Sequence, residues 1–407
     1  MKNKEKINQS KNSSGINRGA LIILSLVMVV NALSYGIIIP LIYPYVSRFG
    51  LNPTSFGFLF ASYSLFQFLA TPLIGRLSDR YGRKPLLLMS LFGTSVSLAV
   101  FASAGGVFQL FLARILDGIT GGNMSVAQAV IADSVKSKER AKYFGILGAS
   151  FGFGFLIGPA LGGLLGQISL TAPFWAASAL ALVGTLLGFF FLPETRSRQN
   201  EVVQKKEPLI DFKNLWRALF KPLTGIILLI TLTSAVAQNA FSIGFQSFTV
   251  DVLKYTPVQV GLIFTAFGLV NLLMQGVGIG LLLKKFSLKT LLMVSMLVST
   301  VLTGLMGFAQ VSIVFLVFMV AFMFVPPSMP FLSAMISERT NPEDQGGVLG
   351  LRQSYMSLGQ IIGPILAGLV ASIYIPAIFW AVAIMFGVSF WLSRKVTDVE
   401  VSNKLDL

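Results

Sequence analysis

Two charged residues, Arg114 and Asp117, stand inside the apolar run Leu112-Ala113-Arg114-Ile115-Leu116-Asp117-Gly118, which the pattern predicts to be a membrane-spanning helix. Spaced three apart, they share one helical face, and each partly neutralises the other where that face meets an aqueous cavity. An arginine alongside favours the ionised carboxylate, so a movement that parted the two would draw a proton onto Asp117. Proton coupling by Asp117 with Arg114 is one reading of the pair, and a static ion pair that fixes bundle register is the other. No other acid is expected at mid-membrane depth.

A second cluster lies in Gly75-Arg76-Leu77-Ser78-Asp79-Arg80-Tyr81-Gly82-Arg83-Lys84, with five charges and two glycines between long apolar runs. An apolar segment of about 20 residues spans a bilayer as a helix, so this gap is a tight turn at one membrane face. Its charges can lock and release neighbouring helices. Asp79 is expected to meet the positive N-terminal end of a neighbouring helix, that of span eleven.

A third group is neutral and amphipathic: Asn31 and Tyr35, Tyr63 and Gln67, Gln238 and Asn239, Asn271 and Gln275, Tyr355 and Gln360. An amide inside the bilayer costs free energy unless it finds a partner, so these residues, clustered at matching depth, predict a wetted cavity for a bulky, mostly apolar ligand. Interhelical hydrogen bonding is the competing use for each. Arg352, a few residues inside span eleven, is placed either to snorkel to the interface or to meet an anionic ligand.

Twelve apolar runs must position these groups, near residues 19–43, 54–75, 86–105, 107–132, 143–166, 172–192, 221–249, 257–282, 290–309, 312–336, 346–371 and 375–393. The fold class is therefore an all-α membrane protein. Its expected parts are a basic tail (1–18), a six-helix bundle (19–192), a linker with a possible interfacial helix (193–220), a second six-helix bundle (221–393) and a tail (394–407). Lysines and arginines gather at the tails and at the turns after spans two, four and eight, against only Arg48 and Lys254 on the other side. The positive-inside rule then places both termini in the cytoplasm of a multi-pass cell (inner) membrane protein.

The halves are repeats. Gly75 and Gly280, Lys84 and Lys289, Asp133 and Glu338, Gly145 and Gly350, and Gly158-Pro159 and Gly363-Pro364 are all separated by 205 positions. An even number of spans per repeat relates the copies by an axis along the membrane normal and leaves a cavity between them. The second copy of the charged turn, Gly280 to Lys289, has lost its aspartate, so the first half is expected to dominate gating.

Composition excludes much else. Of 407 residues, 54% are hydrophobic and 12% charged, against about 25% charged in soluble domains. There is no cysteine and no histidine, so thiolate, imidazole and ordinary zinc chemistry are absent, and neither a metal nor a cofactor is expected. No nucleophile and base pair is visible, which argues against an enzyme. The net charge of +15 sits in turns and tails rather than along one solvated face, which argues against nucleic-acid binding.

On these residues the chain resembles the major facilitator superfamily, and more narrowly its twelve-span drug:proton antiporters, including the tetracycline-efflux branch. In that family the turn after span two reads G-x-L-a-D-r-x-G-r-k, and Gly75, Leu77, Asp79, Arg80, Gly82, Arg83 and Lys84 fit it. Gly154, Gly158, Pro159, Gly162 and Gly163 fit the family's g-x-x-x-G-P-x-x-G-G in span five, where small residues let helices touch and the proline lets the span bend. Arg114 to Gly118 resembles its buried-arginine motif, and Asp133 with Glu139-Arg140-Ala141 its turn between spans four and five.

The resemblance implies proton-coupled export of small amphipathic compounds or drugs by alternating access, with the bilayer, protons and the substrate as partners of a monomer. It departs from the tetracycline branch where acid or imidazole gives way to Asn31, Asn271 and Ser299. A metabolite or sugar carrier of the same fold, or a facilitator, is the alternative. A non-transporting receptor or scaffold is the alternative of another class, though the linker and tail are too short to fold as an output domain.

Overall fold

The computed structural model describes residues 18–135, 137–195, 212–221, 224–340 and 345–396. The basic N-terminal tail with Lys2, Lys4, Lys6 and Lys11, the linker residues Arg196, Arg198, Lys205, Lys206, Leu209 and Ile210, and the tail after Val396 lie outside these residues. Among the described residues there are helices and no strand.

Among the described residues, eleven helical stretches are long and apolar enough to cross a membrane: Gly19–Ser47, Pro53–Tyr81, Arg83–Ala102, Lys142–Ile168, Ala172–Phe191, Thr224–Val252, Pro257–Leu283, Leu288–Met306, Ser312–Glu338, Gly347–Ala371 and Ala377–Arg394. Span four corrects the expectation of one continuous helix. It is two helices, Val107–Thr120 and Asn123–Ser134, separated at Gly121-Gly122. Span ten is interrupted at the position 205 residues on: its helices Ser312–Met323 and Ser328–Glu338 flank Pro326-Pro327. Two glycines and two prolines thus stand at the same break: Gly121 and Gly122 keep ordinary negative φ, −71° and −89°, and leave no room for a Cβ beside Gln67 and Ile74, whereas the prolines remove backbone donors. Span five, by contrast, runs helical from Ser137 to Ile168 through Pro159.

Local chemistry sets the other ends. The Asn52 side chain accepts from Ser55 N at 2.9 Å just before Pro53 opens span two, and Thr256 with Gln259 forms a capping box around Pro257 at the start of span eight. Gly82, at φ 110°, ends span two and starts span three, a conformation that L side chains rarely adopt.

Within each half a Gly-Pro span lies against a partner at backbone distance. A Cβ on Gly158 would stand 2.7 Å from the Gly36 Cα of span one, and one on Gly162 would stand 2.0 Å from the Ile37 carbonyl oxygen. In the second half, a Cβ on Gly359 would meet the Ala235 Cβ of span seven at 2.4 Å. The same two Gly-Pro spans form the seams between halves. The Pro159 carbonyl faces Gly261 of span eight, and the Pro364 carbonyl faces Gly57 of span two, while Thr54 Oγ1 donates to the Gly368 carbonyl at 2.7 Å.

All these inter-half contacts lie toward one membrane face, where Tyr43 OH also donates to the Asp251 carboxylate across spans one and seven. Toward the face that bears the basic turns, a chamber lies between the halves, lined by Thr71, Met124 and Gln128 on one side and Gly347, Gly350 and Ser354 on the other. The molecule is closed at one face and splayed at the face of the Gly75–Lys84 turn.

Candidate functional site

The break in span four places the charged pair. Arg114 and Asp117 lie on the last turns of Val107–Thr120, their side chains joined at 3.3 Å and their residues only 2% and 6% exposed. Gly118 lets this helix approach span two, since a Cβ there would stand 2.5 Å from the Tyr63 carbonyl oxygen. The approach sets the Arg114 guanidinium 4.3 Å from the Tyr63 ring centre and 5.3 Å from that of Phe60. Such stacking contributes about 1 kcal/mol or more when desolvated, which offsets part of the cost of two guanidinium nitrogens, Nε and Nη2, that have no hydrogen bond. Thr94 and Ser97 of span three flank the carboxylate.

Polar residues of the cavity satisfy the break itself. Gln67 Nε2 donates to the Gly121 carbonyl at 3.0 Å and to Tyr63 OH at 2.8 Å, and Asn123 Nδ2 donates to Asn31 Oδ1 at 3.0 Å. Ser90 closes the helix end by donating to the Thr120 carbonyl. The signal for this break was in the chain, as a Gly-Gly pair inside an apolar run.

Nine of the ten expected cavity residues line a central space made of joined chambers. One, of about 460 Å³, is walled by Asn31, Tyr35, Tyr63, Gln67 and Asp117 from the first half, with Asn239 and Gln360 opposite. A larger lobe of about 670 Å³ lies in the second half and includes Gln238, Asn239, Asn271, Gln275 and Gln360 among many aromatic and methionine side chains. A third chamber of about 480 Å³ again includes Gln67 and Gln360. These volumes are of the size that holds a drug-like molecule. The larger lobe has no ionisable side chain on its wall. Gln275 donates to Asn271 beside a π-helical turn, Met274–Gly278, that interrupts the ordinary helical ladder of span eight.

Tyr355 is the exception and a correction. It is buried at 3% exposure, and its hydroxyl donates at 2.8 Å to the carbonyl of Leu215 in the linker helix Phe212–Ala218. Span eleven turns this phenol toward the linker, not toward the cavity. The linker helix buries Leu215 and Ala218 and exposes Trp216, and Phe220 is exposed just beyond its end.

The charged turn forms a cluster inside the first half. Arg83 bonds Asp79 at 2.6 Å, Asp133 at 2.8 Å and Ser78 Oγ at 2.7 Å. Asp79 is therefore paired within its own half in this conformation, and the meeting with span eleven is not made while the halves are splayed at this face. Arg80 stacks on Tyr81, and Lys84 Nζ donates to the Phe189 carbonyl at 2.7 Å.

Glu194, which sequence reasoning passed over as linker, accepts from the backbone N–H of Arg83 at 2.9 Å and of Lys84 at 3.1 Å. It caps span three at its positive end and occupies the space that a Cβ at Gly82 would need. Its only sequence signal was an acid after Pro193, at the same face as the basic turn.

Comparison with known proteins matches this architecture. The family model for the Major Facilitator Superfamily matches residues 24–256 and 227–406. The chain is 31% identical over 356 residues to the tetracycline resistance protein, class C, of Escherichia coli, covering 86% of this chain and 89% of that one. It is 29% identical over 371 residues to the quinolone resistance protein NorA of Staphylococcus aureus, covering 89% and 93%. In fold it is similar to a bacterial homolog of the human lysosomal transporter Spinster, solved in an inward-facing and occupied conformation, with TM-score 0.73, 14% identity and coverage of 94% and 97%. The protein is a multi-pass membrane transporter, not an enzyme, and belongs to the major facilitator superfamily.

Proposed function

We propose that the protein exports small amphipathic compounds from the cell in exchange for protons, working as a monomer by alternating access with both termini in the cytoplasm of the cell (inner) membrane. The carrying observation is that Asp117, buried and paired with Arg114, forms part of the wall of the central cavity, on the same chamber as Asn31, Tyr35, Tyr63 and Gln67. A carboxylate so placed gains a proton more readily when the pair parts, so ligand entry and proton uptake compete for one wall. The basic-turn face is then cytoplasmic and the splayed arrangement is the inward-open state. Asp79, Arg83 and the rest of the turn govern the switch, and the glycines of span five with Pro159 provide its close-packed pivot.

The drug-resistance relatives support export, and the size and apolar lining of the cavity support bulky amphipathic substrates. The charge-free larger lobe favours a second reading, an uncoupled carrier of neutral metabolites. Accumulation of lipophilic dyes in cells with and without the protein, at two external pH values and with a protonophore, separates the two. The export reading expects lower accumulation in expressing cells, restored by the protonophore. Dye levels indifferent to pH and protonophore would overturn coupling in favour of the carrier.

A further inference from the structure

The larger lobe is free of charge on its wall, yet one side of it gathers groups that lack an acceptor. The second helix of span ten, Ser328–Glu338, begins at Pro327 with no side-chain cap, and Pro326, Pro327, Ser328, Met329 and Pro330 all lie on the lobe. A helix N-terminus carries a partial positive charge and free N–H groups, and half-helix ends at mid-membrane depth suit anionic groups of a ligand. Ser328, 3% exposed, has a buried hydroxyl with no hydrogen-bond partner at this same turn.

Arg352 meets the turn from span eleven. Its Nη1 lies 3.2 Å from the Met356 sulfur and 3.9 Å from the Met329 sulfur, and both methionines line the lobe. Met356 and Gln360 follow Arg352 at one and two helical turns, on one face of span eleven. The buried Nε has no hydrogen bond, and among the described residues Arg352 has no ion pair. A guanidinium with two soft sulfurs and no carboxylate is a charge without its partner, which is costly to keep unless something else supplies the anion. Arg352 is not itself a lining residue of the lobe; its guanidinium stands behind Met329 and Met356, which are.

The first half offers a contrast at the corresponding break. There the first residue of the second helix, Asn123, is bonded to Asn31, and the nearby arginine has its own aspartate.

We infer that Arg352, Ser328 and the N-terminus of the helix Ser328–Glu338 form a subsite for an anionic group, so that the compounds carried include aromatic amphiphiles bearing a carboxylate. The inference rests on the reading of the cavity as the substrate site. The aromatic body would lie among Phe241, Phe264, Phe267 and Phe322, with the carboxylate toward span ten.

The test is binding by the purified full chain in phosphatidylcholine nanodiscs, titrated with 1-pyrenebutyrate, 2-naphthoate and their methyl esters. Wild type is expected to bind each acid about tenfold or more tightly than its ester, the range of a charge-assisted contact. Arg352→Gln is expected to abolish that preference by weakening the acid alone, Arg352→Lys to keep part of it, and Ser328→Ala to lower it severalfold.

Equal affinity of wild type for acids and esters overturns the subsite. So does an equal loss of acid and ester in Arg352→Gln, which would mark a packing role. Should that variant not fold, Ser328→Ala and Arg352→Lys decide by the same ratio. Repetition in phosphatidylglycerol discs separates the sources of the anion: an unchanged preference supports a substrate carboxylate, and its loss assigns the site to lipid headgroups and overturns the substrate class. No gradient enters this measurement, so failure of the subsite and failure of proton coupling are told apart.

Discussion

Where span four carries Arg114 and Asp117, span ten carries Met319 and Phe322, 205 residues further on. Both pairs lie on a helix that stops at mid-depth, and both border the central cavity or its immediate wall. The duplicated scaffold therefore holds an ion pair in one half and soft, apolar side chains in the other. Backbone geometry has been kept while side-chain chemistry has parted. On the function proposed above, the first half takes the proton and the second holds an adaptable apolar ligand, since thioethers and aromatic rings repack around varied shapes.

The largest expected effect tests that division directly. Asp117→Asn removes the proton acceptor and retains the shape, so gradient-driven transport in vesicles should fall at least about a hundredfold, the scale expected when an essential proton-transfer group is lost. Exchange down a concentration gradient should persist. Phe322→Leu, at the corresponding place, should change the order of preferred substrates and leave the dependence on the pH gradient intact. Uphill transport unchanged in Asp117→Asn, or coupling lost in Phe322→Leu, would reverse the assignment of roles.

What the sequence made legible follows the same line. The apolar runs and the 205-residue offset fixed the helical class and the duplication, because hydropathy and spacing report directly on a membrane environment. The breaks at Gly121-Gly122 and Pro326-Pro327 were passed over because apolar residues continue across them, and only backbone chemistry marks the stop. Tyr355 was assigned to the cavity because a phenol on an apolar helix serves a cavity or a neighbouring carbonyl equally well, and only packing chooses. The partner of Asp79 was not legible for a deeper reason. A sequence that specifies alternating states specifies more than one set of contacts, and the splayed face shows only the pairing with Arg83.

A middle-sized effect concerns what the halves share. A Cβ on Gly57 would stand 2.2 Å from the Pro364 carbonyl oxygen, and one on Gly261 would stand 2.4 Å from the Pro159 carbonyl oxygen. Neither atom is the end of a flexible side chain, so alanine must push the helices apart, at about 1–3 kcal/mol for such overpacking. Gly57→Ala and Gly261→Ala should each shift the population toward opening of the closed face by about tenfold or more. The chain has no cysteine, so Ile38→Cys supplies a unique reporter whose labelling by an impermeant maleimide from that face should rise in both variants. A rise in only one would show that the seams, so alike in geometry, do not carry equal load.

The smallest effect belongs to the charged turn, where the halves differ most in sequence. Asp79 and Arg83 have Lys284 and Leu288 as counterparts, so the cluster of Asp79, Arg83 and Asp133 exists in the first half alone. Its members are partly exposed, with Asp79 at 42% and Asp133 at 31%, and pairs of this kind contribute about 0.2–1 kcal/mol each. Arg83→Gln removes both bridges and should slow transport about threefold to tenfold, by the same arithmetic, with little change in thermal stability. Leu288→Met, which conserves volume at a half-buried position packed against the core, should leave the rate within about twofold. The slowing should deepen at low ionic strength, where the lost bridges are least screened and matter most. If the two variants slow transport equally, the turn acts as a spacer in both halves, and the asymmetry of its charges carries no part of the switch.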